Sequence, residues 1–248
     1  MQLSAFEQFL NLQVIDNSID KTLVFFPAQE LTLNLGGTLH GGASMALISM
    51  AARRALYPHA ANLQHSIRSL DQSVRFISTT RGEKVLAEAV VIKKGKELAF
   101  VEVKVTNDED KLVSQGLVTL RYGETTNPDM QSTGLIPQID VASYYPENWQ
   151  PGPMAQWLAQ RGFTANLGLK ILHAHDGRSV VRLDARDALL NNAACIDEGA
   201  LATLCDSAGA MAAISMNADS SRARASTPSL HINYYEKPQQ ETLLGLGV

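Results

Sequence analysis

Apolar and polar positions follow the same order twice along the chain. In the first 123 residues a short apolar stretch at 20–34, DKTLVFFPAQELTLN, leads through a loop into a run at 42–56 with no charged residue before Arg53. That run is apolar or small all round, which predicts a helix needing cover on nearly every side. Behind it, segments at 63–78, 83–93, 97–106 and 112–121 alternate or run apolar between turn signals, and read as antiparallel strands. A sheet must wrap the helix.

The second appearance of the order makes an internal repeat. Residues 20–34 lie without a gap over 177–191, GRSVVRLDARDALLN, at an offset of 157, and both stretches end in asparagine. At the same offset 39–52, LHGGASMALISMAA, falls on 196–209, IDEGALATLCDSAG. With one residue inserted, 73–86 falls on 231–244. Between the copies a stretch rich in Pro, Ser, Thr and Asn reads as a linker. The expected organisation is therefore residues 1–123, a linker at 124–152, and 153–248, with a helix at 154–161 opening the second copy. Val248 is the counterpart of Val90, so the second copy is expected to lack its last two strands, and the edge this leaves favours a homo-oligomer.

Composition narrows the partners. A net charge of −4 with scattered Lys and Arg gives no basic stripe, which argues against nucleic acid. The longest charge-free apolar stretch, 41–52, is too short to span a bilayer, and the start MQLSAFEQFL lacks the pattern of an export signal, so a cytoplasmic protein without a membrane partner is expected. Cys195 and Cys205 have no CxxC spacing. His173 and His175 share one face of an expected strand without a third ligand nearby, so no metal is expected. G-x-S-x-G and P-loop motifs are absent, which leaves a Ser-based hydrolase and an NTPase without support.

A helix enclosed by a curved antiparallel sheet, entered through Asn34 and His40-Gly41-Gly42 and carrying Leu47 in the pattern N-x-x-x-x-x-H-G-G-x-x-x-x-L, resembles the hotdog-fold thioesterase superfamily. The second copy supplies Asn191, Gly199, Leu204 and the acid that the pattern expects, Asp206. The resemblance implies an α+β fold of two hotdog units in tandem, each a long central helix wrapped by a curved sheet. It also implies an acyl-CoA thioesterase whose only cofactor-like group, coenzyme A, belongs to the substrate. In this superfamily two units pair, and a site lies where the helix start of one faces the acid on the other's helix. Here the copies have diverged in complementary ways: copy one has His40-Gly41-Gly42 but Ser49 at the acid position, and copy two has Asp206 but Asp197-Glu198-Gly199 at the helix start. One composite site of two is complete.

The residues themselves suggest how such a site works. Glycines at a helix start leave backbone N–H groups open to a thioester carbonyl, although the same pair also suits a tight turn. Asn34 and His40 could orient the loop or the substrate. A carboxylate at Asp206 among Leu, Cys, Ala and Gly needs a partner or a task. It could activate water, attack the carbonyl, or be held by nearby hydroxyls. Asn191 and Thr227 are candidate orienters on the same copy. The resemblance to type II acyl-CoA thioesterases places a catalytic threonine beside the aspartate, and Thr227 lies at that position within one residue. The Lys93–Lys96 run KKGK, with Arg53, Arg54 and Arg81, reads as solvated charge or as a contact for coenzyme A phosphates. Two further functions compete with hydrolysis: a non-catalytic acyl-CoA-binding or protein-interaction module, and a hotdog dehydratase, for which neither the loop nor the acid–histidine pair is present.

Overall fold

A computed structural model of the protein describes residues 2–27, 29–59, 67–81, 84–123, 146–158, 162–217 and 226–248. Helix α1 (Ala5–Phe9) is followed by strands β1 (Gln13–Ser18) and β2 (Lys21–Pro27), then the long helix α2 (Gly41–Leu56). Strands β3 (Arg68–Phe76), β4 (Lys84–Lys94), β5 (Leu98–Asn107) and β6 (Leu112–Arg121) complete the first half. The second half holds α3 (Pro153–Leu158), α4 (Gly162–Leu167), β7 (Leu169–His175), β8 (Arg178–Leu183), the long helix α5 (Glu198–Ser215), β9 (Ser229–Asn233) and β10 (Leu243–Gly247). Most of the expected linker, 124–145, and part of the expected helix at 154–161 lie outside the described residues. No helix among the described residues is long and apolar enough to cross a membrane.

The period-two pattern of the strands explains how α2 is covered. Val85, Ala87 and Ala89 of β4 and Ala99, Val101, Val103 and Val105 of β5 are fully buried, while the residues between them point outward. The small inward residues let the sheet curve onto a helix that is buried at every position after Gly41. This is mixed helix and antiparallel sheet in the hotdog arrangement. Seven strands form one sheet in the order β1-β2-β4-β5-β6-β3-β9, and β10-β8-β7 form a second over α5. β3 and β9 pair antiparallel about Ser73 and His231, so one sheet runs from the first half into the second.

Local geometry recurs at the spacing read from the sequence. An isolated bridge joins Leu33 to Leu39, and another joins Leu190 to Ile196. The Asn34 side chain accepts from the amides of Gly36 and Thr38 at 2.9 and 3.2 Å; Asn191 accepts from Ala193 and Cys195 at 2.9 and 3.2 Å. Even the short helices correspond: the Phe6 amide of α1 donates to Leu190 O at 3.1 Å, and the Phe163 amide of α4 donates to Leu33 O at 2.8 Å. Each half thus lends a small helix to the turn of the other.

Two features differ from the sequence reading. A hairpin of two strands precedes each long helix; β7 answers to the strand expected at His173 and His175, whereas β1 was hidden because its residues are mostly exposed and do not alternate. Arg53 and Arg54 are neither surface charge nor free to meet phosphates, because both are buried. Arg54 makes a two-pronged pair with Glu7 at 2.7 and 2.6 Å, and Glu7 also closes the capping box of α1 on Ser4.

Candidate active site

The two long helices cross in direct contact, and glycine is what lets them approach. A Cβ on Gly42 would stand 2.5 Å from Thr203 Oγ1, and one on Gly199 would stand 2.6 Å from Ala46 Cβ. These contacts are images of each other, since 42 and 46 in α2 correspond to 199 and 203 in α5. Gly42 is therefore required by packing. Its amide is also occupied: it donates to Nδ1 of His40, the N-cap of α2, at 2.9 Å.

Gly41 differs. As the first residue of α2 its amide has no partner within the helix, and a Cβ placed there would lie 3.1 Å from Asp206 Oδ2 and 3.6 Å from the Phe76 ring. Asp206 reaches this corner from α5, a little over two turns past the helix start at Glu198. Its other oxygen, Oδ1, accepts the Thr227 hydroxyl at 2.8 Å. Thr227 stands two residues before β9, which the pairing with β3 holds beside Phe76. The Phe76 amide in turn donates to Pro228 O at 3.0 Å.

His40 completes the corner. Accepting at Nδ1 leaves the ring proton on Nε2, a donor. Burial lowers the imidazole's pKa below its ordinary value, against the opposing pull of Asp206, so the neutral ring is favoured. The Phe163 ring of α4 packs on it at 5.4 Å between centroids.

Of the seven residues singled out, Gly41, His40, Asp206 and Thr227 thus gather at one place, with Gly42 behind them in the helix crossing. Asn34 shapes the loop before His40 through the bonds described above. Asn191 does the same for the other half and does not orient Asp206; it lines the same cleft as Glu198 instead. Sequence reasoning passed over Phe76 and Phe163, the ring walls of the corner, and read Arg53 only as solvated charge or a phosphate contact.

Arg53 fills the counterpart position. At the start of α5, Asp197 caps the helix by accepting from Gly199 N at 2.8 Å, as His40 does for α2. Arg53 reaches across from α2 to Asp197 at 2.6 Å and to Glu198 at 2.5 Å, and donates to Ser49 Oγ at 2.9 Å. Burial disfavours the Arg53 charge, but the two carboxylates outweigh it and hold the guanidinium protonated. Burial pushes the Asp197 carboxyl up to about 7, against the pull of Arg53. Where the first corner carries an acid, the second is filled by an ion-pair cluster.

His173 accepts the Gln150 amide at 3.1 Å, and its ring lies 6.4 Å from that of His175; no cluster of metal-binding side chains is formed among the described residues. KKGK lies at the hairpin between β4 and β5, as its pattern suggests.

The Thioesterase superfamily profile matches residues 36–114, from the turn before α2 into β6. Acyl-coenzyme A thioesterase 13 of Mus musculus is 31% identical over 106 residues, 42% of this chain and 74% of that protein. The Homo sapiens protein of the same name is 31% identical over 121 residues, 48% of this chain and 85% of its own length. Among solved structures, the conserved protein PA5202 from Pseudomonas aeruginosa superposes with a TM-score of 0.46 at 25% identity, over 49% of this chain and 95% of that one. The chain belongs to the thioesterase superfamily and is, with it, a thioester hydrolase.

Proposed function

We propose that the chain is a tandem of two hotdog units, residues 1–123 and 153–248 joined by 124–152, whose one complete corner hydrolyses an acyl-CoA thioester to the free acid and coenzyme A. The observation that carries this reading is the approach of Asp206 Oδ2 to Gly41, 3.1 Å from where a Cβ would stand. An acid from one helix then lies against the start of the other.

In this mechanism the thioester oxygen turns toward the Gly41 amide, whose hydrogen bond strengthens as negative charge develops on that oxygen. Thr227 holds Oδ1, leaving Oδ2 to take a proton from the attacking water. The water oxygen bonds to the carbonyl carbon, the C–S bond breaks as the tetrahedral intermediate collapses, and the sulfur leaves as the thiol, taking the proton that Asp206 had accepted. Direct attack by Asp206 would pass through an anhydride instead, and water would then release the acid. The neutral His40 fixes the Gly42 amide and with it the direction of the helix start.

The test is Asp206→Asn, assayed by thiol release from acyl-CoAs of several chain lengths. We expect kcat to fall by about 10²- to 10⁴-fold with the melting temperature preserved. An unaltered rate in the folded variant refutes the assignment. Solvent ¹⁸O found in the Asp206 carboxylate after a single turnover would identify the anhydride route, with water attacking the Asp206 carbon.

A further inference from the structure

The two corners differ in how their aromatic wall is held. With the one inserted residue counted, Tyr234 stands for Phe76 and Leu230 for Gln72, while Glu198 stands for Gly41. The backbone bears out the pairing of the rings: the Tyr234 amide donates to Leu70 O at 2.8 Å, as that of Phe76 does to Pro228 O at 3.0 Å. Tyr234 is bolted down. Its hydroxyl donates to Gln72 Oε1 at 3.1 Å, sharing the proton with Glu198 O at 3.3 Å, and Gln72 Nε2 donates in turn to Met45 O at 3.0 Å. The ring is thus tied to both long helices, to α2 through Gln72 and to α5 directly. Burial pushes the phenol's pKa well above its ordinary value, so the hydroxyl keeps the proton it donates.

At the catalytic corner both ends of the bolt are gone. Phe76 has no hydroxyl and Leu230 has no amide, and both side chains are held against the core by packing alone, each partly buried. Yet the Phe76 ring stands in the way of a substrate. A Cβ on Gly41 would lie 3.6 Å from Cε1 and from Cζ of Phe76 and 3.1 Å from Asp206 Oδ2, so ring and carboxylate together leave room for little more than a methyl group over the helix start. A thioester brings its carbonyl carbon and oxygen, the sulfur and the acyl α-carbon to the same place. Asp206 is fixed by the Thr227 hydroxyl at 2.8 Å, which leaves the ring as the part that yields.

Resting on the hydrolytic reading above, we propose that Phe76 is the gate of the catalytic corner: its ring covers Gly41 in the free enzyme and swings aside, by a change of side-chain rotamer, to let the thioester oxygen reach the Gly41 amide. The exchange of Tyr for Phe and of Gln for Leu is what frees it to move. Opening then sets the fraction of molecules able to bind, and the apparent affinity for substrate falls in proportion to that fraction. Pinning the ring is therefore worse for turnover than cutting it back.

The test restores the bolt in the full chain and reads thiol release from acyl-CoAs. In Phe76→Tyr/Leu230→Gln, kcat/KM should fall by about tenfold or more, the equivalent of about 1.4 kcal/mol for a hydrogen bond broken at each opening. The loss should lie in KM more than in kcat, because the open population changes and the chemistry does not. Phe76→Leu, which shortens the wall without tying it, should keep kcat/KM at or above the wild-type value, and Tyr234→Phe, which loosens the image ring, should leave it unchanged. A wall that merely lines the site gives the reverse order, with Phe76→Leu impaired and the tied ring near normal, and that order overturns the proposal. If the double variant does not fold, Phe76→Tyr is set against Phe76→Leu in the same way, its hydroxyl having Gly41 O as the image of Glu198 O. A crystal structure of Asp206→Asn with a bound acyl-CoA should show the ring rotated off Gly41; an unmoved ring with the thioester oxygen on the Gly41 amide overturns the gate as well. Failure of the catalytic reading shows separately, as an unaltered rate in Asp206→Asn, whereas failure of the gate leaves Asp206→Asn impaired and the double variant as active as the wild type.

Discussion

Gly41→Ala is the sharpest probe of the corner, because it adds one methyl group at the place where the reaction is proposed to occur. The added carbon would lie 3.1 Å from Asp206 Oδ2 and 3.6 Å from the Phe76 ring, so the carboxylate must give by a few tenths of an ångström. Folding should tolerate this, since Gly41 is only partly buried and alanine suits a first helical turn better than glycine. Catalysis should not, because the methyl fills the gap in which carbonyl, amide and carboxylate must meet. A misplacement on the 1 Å scale costs about 10²-fold, or about 2.7 kcal/mol of barrier. We therefore expect kcat/KM for thiol release to fall by about 10²-fold or more, with a melting temperature near that of the wild type. Gly209→Ala is the control: a Cβ there meets nothing within 4 Å, so this variant should keep full activity and be slightly more stable. A Gly41→Ala enzyme with kcat/KM within about threefold of the wild type would refute the reasoning that the Gly41–Asp206 gap is the reaction space.

Two further outcomes follow from the caps of the long helices. Arg53→Met leaves Asp197 and Glu198 buried without their cation, which should cost about 3–5 kcal/mol in urea denaturation. Adding Asp197→Ser and Glu198→Met should recover most of it, and a wild-type midpoint in the single variant would show that the cluster is not stabilising. His40 is the pH-dependent part: the folded protein holds its pKa below the usual 6.5, so the unfolded chain takes up the proton first as pH falls. Its contribution is therefore complete above that value and declines below it, where protonation also removes the acceptor for Gly42 N–H. Stability measured between about pH 5 and 7 should fall less steeply in His40→Asn, which keeps a capping acceptor without titrating; an identical slope contradicts this.

Much of this molecule could be read from its residues because the spacing of 157 is kept by groups that shape the backbone. Asn34 and Asn191 stand out in the sequence since each closes the same small loop by accepting two backbone amides at its side-chain oxygen. Asp206 stands out because a carboxylate among apolar neighbours demands an explanation. What stayed hidden depends on contacts across the chain. Arg53 looks like any cation at the end of a helix until Asp197 and Glu198 are brought to it from 144 and 145 residues away. Gly41 and Gly42 look alike in sequence, yet the helix crossing takes one and leaves the other, and only Thr203 on the opposite helix decides which. The correspondence of Phe6 with Phe163 at the same offset was there to be found, but a single aromatic in a five- or six-residue helix carries too little pattern to draw notice.

The meeting of Gly42 with Thr203 and of Gly199 with Ala46 works as a calliper. Corner and acid ride on separate rods, so the gap between them is set where the rods touch, among residues that have no chemistry of their own. Selection for faster or slower turnover can therefore act on an alanine and a threonine deep in the interior, widening or narrowing the jaws without altering any group that meets the substrate. Variation at positions 46 and 203 among related sequences would then report on activity while looking like ordinary exchange between small residues.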